Sequence, residues 1–392
     1  MPGIIEAAEA AEAQDIYHVE WYIPGPIDYR PEVLEAMSAQ PYGHRVPELM
    51  GPYVESIRKN LFALVNASED THSMVLTGGS GTNALEMAAR TWGDPSPYLP
   101  KVLGASIGLF GDLWTDIFES CDVPVRRLRS DDGDIANADK LHDALANGRF
   151  EIVTLTHNDT STGTVNPLEQ LAGVVKNSGA LLLVDAVSSV GGIKIDVSEW
   201  GIDFLAMAPQ KGLGVPPGLA LAVVSNEALE KRIPKNRGYT TDLMRQVEEN
   251  RKNITLTTPP EAQIGALALE LGYIMEVEGP TERYRRHSEL AEITRNWAAT
   301  ERFRLLPDRA NASDTVSCFV NTRGIDLGAM QRNLWANPGI RYGFDAGHPK
   351  LAKIRQAEGK PETFRVAHMG DRPPEQLQRY LGAISANLAL IT

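Results

Sequence analysis

The sequence has little cysteine, no excess of positive charge and no long apolar run. Its two cysteines, Cys121 and Cys318, lie in apolar surroundings, so we expect no disulfide framework and a reducing compartment. Acidic residues outnumber basic ones, 51 against 38, and the formal charge is −13 without long like-charge blocks. Nucleic acids and anionic membranes both favour basic surfaces, so neither is an expected partner.

Membrane insertion and secretion are not expected either. No apolar run approaches the roughly 18 residues that a membrane span needs. The N-terminal stretch MPGIIEAAEAAEAQD is acidic and alanine-rich, and it lacks the basic start and apolar core of a signal peptide. No metal site is predicted. These features predict a soluble cytoplasmic enzyme, and 392 residues are enough for two domains.

Short apolar runs alternate with helical patterns from about residue 52 to residue 224. The predicted strands are Met74–Leu76, Val102–Ile107, Val123–Leu128, Ile152–His157, Ala180–Val184, Phe204–Ala208 and Leu219–Val224. Such regular alternation predicts an α/β fold with a mostly parallel sheet and helices on both faces. We expect an N-terminal docking segment (1–20), a large domain (21–280) and a smaller C-terminal α+β domain (281–392).

Two charged residues follow neighbouring buried strands. Asp185 ends the apolar run Ala180–Val184, and a carboxylate there is costly unless a cation or strong donor meets it. Lys211 follows the run Phe204–Ala208 in a turn rich in glycine and proline. Pyridoxal phosphate (PLP) needs this combination, because an amine forms the Schiff base and a carboxylate keeps the pyridinium nitrogen protonated. Lys194 is the competing lysine, but its alternating segment predicts a solvent-exposed side chain.

Further candidates follow other strands of the same predicted sheet. The turn Gly78-Gly79-Ser80-Gly81-Thr82 lies between a strand and a helix, where backbone amides can hold a phosphate. It is either a phosphate-binding turn or an ordinary turn without a ligand. Phe110 opens the next helix and either stacks on a pyridine ring or belongs to the core. Thr160 lies in the polar loop after His157. Its hydroxyl either donates a hydrogen bond to the phenolate of the PLP ring or is simply part of a polar turn. Ligands of open α/β sheets bind at these strand ends.

Arg365 lies within the β-patterned run Phe364-Arg365-Val366-Ala367 of the smaller domain. An arginine there is either a solvated strand position or a bidentate clamp for a substrate carboxylate. The pattern alone leaves both open. A second arginine near the site would favour a dicarboxylate substrate, and Arg341 and Arg45 are the candidates.

Several motifs together resemble the class V aminotransferases of PLP fold type I, in particular the alanine–glyoxylate and serine–glyoxylate branch. The resemblance covers about residues 20 to 390. The motifs are PGP, GHR, GGSGTNALE, GLFGDLW, THNDTSTG, LLLVDAVSSVGG with WGID, QK with PPG, and FRVAHMGD.

The resemblance implies a role for each matching residue. Lys211 would form the Schiff base and shuttle the proton, and Asp185 would pair with the pyridinium nitrogen. Phe110 would stack on the ring, and Thr160 would contact its hydroxyl. Arg365 would bind the substrate α-carboxylate, with Gly25 lining that pocket. The phosphate would be held by Ser80, Gly81, Thr82 and Gln210, and by Thr255 and Thr258 reaching from the neighbouring subunit of a homodimer.

The sequence departs from the family pattern around the pocket. Asn158-Asp159 stands where Val-Glu or Gly-Glu is commoner, Pro209 where a serine precedes Gln-Lys, and Thr255 where tyrosine is frequent. We expect an aminotransferase that uses a small donor, alanine or serine, and a 2-oxo acid such as glyoxylate or pyruvate. The alternatives are a β-eliminating lyase or desulfurase on the same fold, and a PLP-binding regulatory protein without turnover.

Overall fold

A computed structural model of the protein describes residues 19–25, 27–39, 43–44, 46–95, 99–233 and 238–391. Most of the predicted docking segment lies outside these residues. The central sheet has seven strands, β2 to β5 and β8 to β10. Their bounds are β2 His72–Gly79, β3 Val102–Ser106, β4 Val125–Arg129, β5 Ile152–Thr156, β8 Leu181–Asp185, β9 Phe204–Met207 and β10 Gly218–Ser225. All seven predicted strands are present, with small shifts at their ends.

The order across the central sheet is β2-β10-β9-β8-β5-β3-β4. Only β10 runs antiparallel to its neighbours β2 and β9; the remaining pairs are parallel. The mostly parallel sheet predicted from the alternating pattern is therefore confirmed. In β8 the side chains of Leu182 and Val184 enter the core on one face, and Leu181 and Leu183 enter the core on the other. A strand buried on both faces requires such a continuous apolar run.

Helices cover both faces of this sheet. Their bounds are α1 Pro31–Met37, α2 Pro47–Leu64, α3 Gly81–Trp92, α4 Leu109–Ser120, α5 Ala138–Ala146, α6 Leu168–Ser178, α7 Val197–Trp200, α8 Asn226–Glu230, α9 Leu243–Arg251 and α10 Glu261–Gly272. A π-helical segment, Tyr273–Glu278, continues α10. Among the described residues, no helix is both long and apolar enough to span a membrane.

The C-terminal part contains a second, antiparallel sheet of β11 Arg304–Leu305, β12 Val316–Val320 and β14 Thr363–Ala367. Its helices are α11 Pro280–Thr300, α12 Leu327–Trp335, α13 Pro349–Ala357 and α14 Pro374–Ile391. The predicted α+β character of this region is confirmed. Helix α13 is absent from the sequence-based prediction.

Two short strand pairings are absent from the sequence-based prediction. β1 Val19–Trp21 pairs in parallel with β13 Arg341–Gly343, and β6 Asn158–Asp159 pairs with β7 Thr164–Val165. Beside β1, Tyr22 stacks on Tyr380 of α14 with ring centroids 3.6 Å apart. The extended segment before the helix at Pro31 is thus held by the C-terminal elements. Strands of two or three residues carry too little periodicity to be read from sequence.

The C-terminal ends of the parallel strands meet at one edge of the central sheet. Thr156 of β5 pairs in register with Asp185 of β8, which in turn pairs with Ala206 of β9. The chain reaches Lys211 shortly after β9 ends at Met207. This edge is where open α/β sheets bind ligands.

Candidate active site

A cavity of about 200 Å³ opens at this edge. It is lined by six residues that the sequence predicts for cofactor binding, together with the pair Asp185 and Lys211. The six are Ser80, Gly81, Thr82, Phe110, Thr160 and Gln210. The structure thus brings together residues from the ends of five different strands. Five further lining residues, Leu85, Leu113, Asn158, Val187 and Ser188, are not among the predicted site residues.

The Lys211 amine points at the segment before α1. Its Nζ donates a hydrogen bond to the Pro24 carbonyl oxygen. Gly25 has φ +94°, and a Cβ there would lie 3.1 Å from Nζ, so a side chain at this position would crowd the amine. Burial lowers the pKa of Lys211 to about 8, with the Arg365 guanidinium acting in the same direction and Asp185 and Asp345 opposing it. An appreciable share of this amine is therefore uncharged near neutral pH. Lys194, the competing lysine, is exposed.

The Asp185 carboxylate is buried and has one backbone donor. Its Oδ1 accepts from the Val187 amide at 3.0 Å. Burial raises the pKa of Asp185 to about 7; the Val187 amide and the Lys211 amine counteract this rise, and the Asp159 carboxylate adds to it. A cationic partner inside the cavity would reverse the shift and restore the ionised form.

The glycine-rich turn delivers the N-terminus of α3 to the cavity. The Ser80 amide donates to Asn83 Oδ1 at 2.8 Å, while the first amides of a helix, here those of Gly81 and Thr82, have no intrahelical acceptor. Glycine is required at position 81, because a Cβ there would lie 2.5 Å from Val187 Cγ2. The turn therefore offers backbone donors and a partial positive charge to an anion.

Phe110 is presented by helix α4, whose N-terminus is capped by Asp159. The Asp159 Oδ2 accepts from the amides of Phe110 and Gly111 at 2.9 and 3.2 Å, and Oδ1 accepts from the Ser161 amide and hydroxyl. Asp159 is fully buried. Asp159, which stands where Glu is commoner, thus caps the N-terminus of α4 and fixes the position of Phe110 against the cavity.

Thr160 and Asn158 belong to a buried polar network around Ser188. The hydroxyls of Thr160 and Ser188 are hydrogen-bonded to each other. Asn158 Nδ2 donates to the Ser188 carbonyl at 2.7 Å and to Thr315 Oγ1 at 2.8 Å. Asn158 Oδ1 is buried without a partner among the described residues. A polar group in the cavity could satisfy it.

Arg365 is buried and paired, so it is not a solvated strand position. Its Nη2 lies 2.8 Å from Asp345 Oδ2, and Nε lies 3.3 Å from Asp345 Oδ1. Nη1 donates to the Thr160 carbonyl at 3.0 Å, which places the guanidinium next to a cavity-lining residue. Sequence reasoning missed Asp345, although its position before Ala346-Gly347 is typical of a turn that offers side-chain oxygen atoms.

The other predicted residues lie away from this cavity within one chain. Thr255 Oγ1 donates to the Thr257 carbonyl, and Thr258 Oγ1 lies 3.3 Å from His44 Nε2 at an exposed position. The Arg341 guanidinium carbon lies 5.9 Å from the Trp335 ring centroid, and Arg341 does not line the cavity. Arg45 lies outside the described residues.

Both cysteines are buried. Cys318 Sγ lies 3.7 Å from the Ser161 carbonyl oxygen, and burial, the largest effect, raises the pKa of this thiol to about 12. A thiol that stays protonated within strand β12 is a poor nucleophile.

The residues of the cavity fit PLP. The backbone amides at the start of α3 suit a phosphate, and Gln210, which lines the same cavity, carries an amide group that can donate to it. Asp185 can accept from a protonated ring nitrogen, Phe110 supplies an aromatic face, and Lys211 supplies the amine that attaches to the aldehyde. Each of these groups lines the same cavity.

Comparison with known proteins agrees with this arrangement. The family model described as aminotransferase class-V matches residues 32–369. An uncharacterized aminotransferase of Methanocaldococcus jannaschii is 33% identical over 89% of this chain and 87% of its own length. The serine–glyoxylate aminotransferase of Methylorubrum extorquens is 30% identical over 94% of this chain and 90% of its own. The crystal structure of an alanine–glyoxylate aminotransferase from Nostoc sp. superposes with a TM-score of 0.83 at 26% identity, covering 95% of each chain.

Proposed function

Because the chain belongs to the class V aminotransferases, whose cofactor is PLP, we propose that it transfers the amino group of a small amino acid, alanine or serine, to a 2-oxo acid such as glyoxylate or pyruvate. The observation that carries this proposal is the convergence of Lys211 and Asp185 on one cavity with the N-terminus of α3. The names of the Methylorubrum and Nostoc relatives support the choice of donors and acceptor.

Lys211 and Asp185 would perform the proton chemistry. PLP, when bound, supplies an electron sink for the charge left when the substrate Cα–H bond breaks. Lys211 Nζ would accept the proton from the substrate Cα and then donate it to the cofactor. Its pKa of about 8 suits both transfers near neutral pH. Asp185 would hold the proton on the ring nitrogen, since its carboxylate is buried and ionises readily only beside a cation.

The remaining lining residues would bind and orient. Gly81 and Thr82 amides, with the Ser80 and Gln210 side chains, would hold the phosphate. Phe110 would stack on the ring, and Thr160 would contact the ring hydroxyl through the network that it shares with Ser188. The placement of each group around one cavity supports these assignments.

Arg365 would bind the substrate carboxylate, with Gly25 leaving room beside the Lys211 amine. Asp345 occupies the Nε–Nη2 edge of the guanidinium, and Thr160 accepts from Nη1. A guanidinium has five N–H donors, so two remain for a carboxylate, one on Nη1 and one on Nη2. The neighbouring Asp345 charge favours a substrate with one carboxylate over a dicarboxylate.

A homodimer would complete the site. Thr255 and Thr258 lie outside the cavity of their own chain and would reach the phosphate of the partner subunit. Large apolar side chains are exposed on helices that pack together, Leu34 on α1, Leu49 on α2 and Leu269 on α10, and they would be covered by that partner. A cytoplasmic location fits the two buried cysteines, which form no disulfide among the described residues.

The visible absorption spectrum of the purified protein tests the function directly. We expect a yellow protein whose band is lost on adding L-alanine or L-serine alone and returns with glyoxylate, and Lys211→Ala should show neither the band nor turnover. A band that persists while ammonia and pyruvate appear would identify a β-eliminating lyase instead. A wild-type protein that takes up no PLP would refute the proposal. The buried Cys318 thiol argues against a desulfurase.

A further inference from the structure

Arg283, in helix α11, is fully buried and contacts the backbone on both sides of the candidate catalytic pair. Its Nε donates to the Gly191 carbonyl at 2.8 Å, and its Nη2 donates to the Gly212 carbonyl at 2.8 Å. Gly212 follows Lys211 directly, and Gly191 lies in the turn that follows Asp185. The Arg283 guanidinium therefore bridges the turn that contains Lys211 and the turn that follows Asp185.

These two turns lie backbone against backbone. A Cβ on Gly191 would lie 2.5 Å from the Gly212 carbonyl oxygen, and a Cβ on Gly212 would collide with the Val190 carbonyl. No side chain can therefore separate the turns. Their carbonyl dipoles face the same guanidinium, and removing it would leave two buried acceptors without their donor.

Acidic side chains hold the guanidinium in place. Asp371 Oδ1 lies 2.6 Å and Glu278 Oε2 2.7 Å from Nη1, and Asp371 Oδ2 lies 3.3 Å from Nη2. With these contacts each of the three guanidinium nitrogens of Arg283 has at least one hydrogen-bond partner. Lysine has a single nitrogen and cannot reproduce the separate Nε and Nη2 contacts of the planar guanidinium.

We propose that Arg283 is a positioning residue that sets the spacing and orientation of Lys211 relative to Asp185. It does not line the cavity, so it would act only through the Gly191 and Gly212 turns. This inference rests on the proposed function, because the relative placement of the two side chains matters only if both engage one cofactor.

Arg286, one turn along the same helix, provides a matched control. It shares the acidic partners, with Nε 2.7 Å from Glu278 Oε1 and Nη2 3.5 Å from Asp371 Oδ1. Its backbone contact is different, since Nη1 donates to the Gly370 carbonyl at 2.7 Å. Arg286→Lys thus disturbs the same ionic cluster without removing a hydrogen bond to the Gly191 or Gly212 carbonyl.

The experiment compares Arg283→Lys with Arg286→Lys in three measurements. They are PLP affinity by absorption titration, the pH midpoint of the visible band, and urea unfolding of the apoprotein. For Arg283→Lys we expect PLP affinity to fall about tenfold, the pH midpoint to shift, and kcat to fall about tenfold with KM within roughly threefold. For Arg286→Lys we expect PLP affinity and the pH midpoint to match wild type, even if the unfolding free energy drops.

Two results would overturn the inference. One is an Arg283→Lys protein that is folded and has the wild-type pH midpoint and PLP affinity. The other is an equal change in both variants, which would mean a general effect of the ionic cluster. If Arg283→Lys does not fold, Asp371→Asn takes its place, because it weakens the hold on Arg283. A pH midpoint that shifts in Asp371→Asn and not in Arg286→Lys supports the inference, whereas an unchanged midpoint, or an equal shift in both variants, refutes it. A wild-type protein without PLP would refute the proposed function itself.

Discussion

Arg365 and Asp345 form a side-by-side ion pair, in which two guanidinium nitrogens each donate to a different oxygen of one carboxylate, at 2.8 and 3.3 Å. The residues lie on adjacent segments that meet at an isolated β-bridge. Asp345 is itself fixed by the Gly347 amide, 2.7 Å from Oδ1. The pair therefore gives the guanidinium one orientation before any substrate arrives, which lowers the entropic cost of binding a carboxylate.

Replacing Arg365 tests its assignment to the substrate. Arg365→Lys should raise the KM of the amino donor and of the 2-oxo acid by roughly 10- to 100-fold, because an ammonium cannot make the bidentate contact. PLP affinity should stay unchanged. Steady-state kinetics with an absorption titration measures both, and Arg341→Lys, on strand β13 away from the cavity, is the control. Unchanged KM values in Arg365→Lys would contradict the assignment.

Asp185 should destabilise the apoprotein at high pH. Its folded pKa of about 7 lies above the unfolded value, so the folded state binds more protons between about pH 4 and pH 7 and its stability falls as pH rises through that window. Asp185→Asn removes this loss, and we expect its apoprotein to be more stable than wild type by roughly 2 to 4 kcal/mol at pH 8. Urea unfolding at pH 5 and pH 8 measures the difference.

The same variant should lose function while gaining stability. Asp185→Asn cannot stabilise a protonated ring nitrogen, so we expect turnover to fall at least about 100-fold. Equal stability of the two apoproteins at pH 8, or wild-type turnover in the variant, would show that the carboxylate is not held as the structure indicates.

Asp159 links helix capping to the cofactor site. Asp159→Ala leaves the Phe110 and Gly111 amides without their acceptor, and we expect a loss of about 1 to 3 kcal/mol in unfolding free energy. Because Phe110 then loses its fixed position, PLP affinity should fall as well. Asn137→Ala removes the cap of α5, where the Asn137 side chain accepts from the Lys140 backbone amide. This change should cost about 1 kcal/mol of stability without affecting PLP affinity. A PLP affinity that falls equally in both variants would mean that the effect is one of general stability.

Gly81 tests the contact between the α3 N-terminus and the cavity. Gly81→Ala forces a Cβ into Val187, so α3 must shift, and we expect PLP affinity to fall about tenfold. Gly173→Ala is the matched control, since it lies on an exposed face of α6 with nothing within 4 Å of its added Cβ. That variant should gain about 0.5 to 1 kcal/mol of stability and bind PLP as wild type does. Isothermal titration of both apoproteins with PLP provides the measurement.

Much of the architecture could be predicted because it is encoded locally. The run Leu181–Val184 must be a strand buried on both faces, and the pattern Asn83–Arg90 must be a helix, whatever lies around them. Elements that depend on a partner distant in sequence were not predicted. Strand β1 is too short to show periodicity and exists because β13 pairs with it, and helix α13 has a weak apolar pattern with only Leu351 and Arg355 buried.

The sequence by itself determined that an acid, a lysine and a glycine-rich turn stand at the ends of strands of one mostly parallel sheet, because strand periodicity and turn chemistry are local properties. Tertiary structure decided the rest. It placed Asp345 against Arg365 and Arg283 between the turns of Lys211 and Asp185, although these partners are far apart along the chain. It also set the ionisation of Lys211 and Asp185, since a pKa depends on burial and on neighbouring charges that only folding assembles.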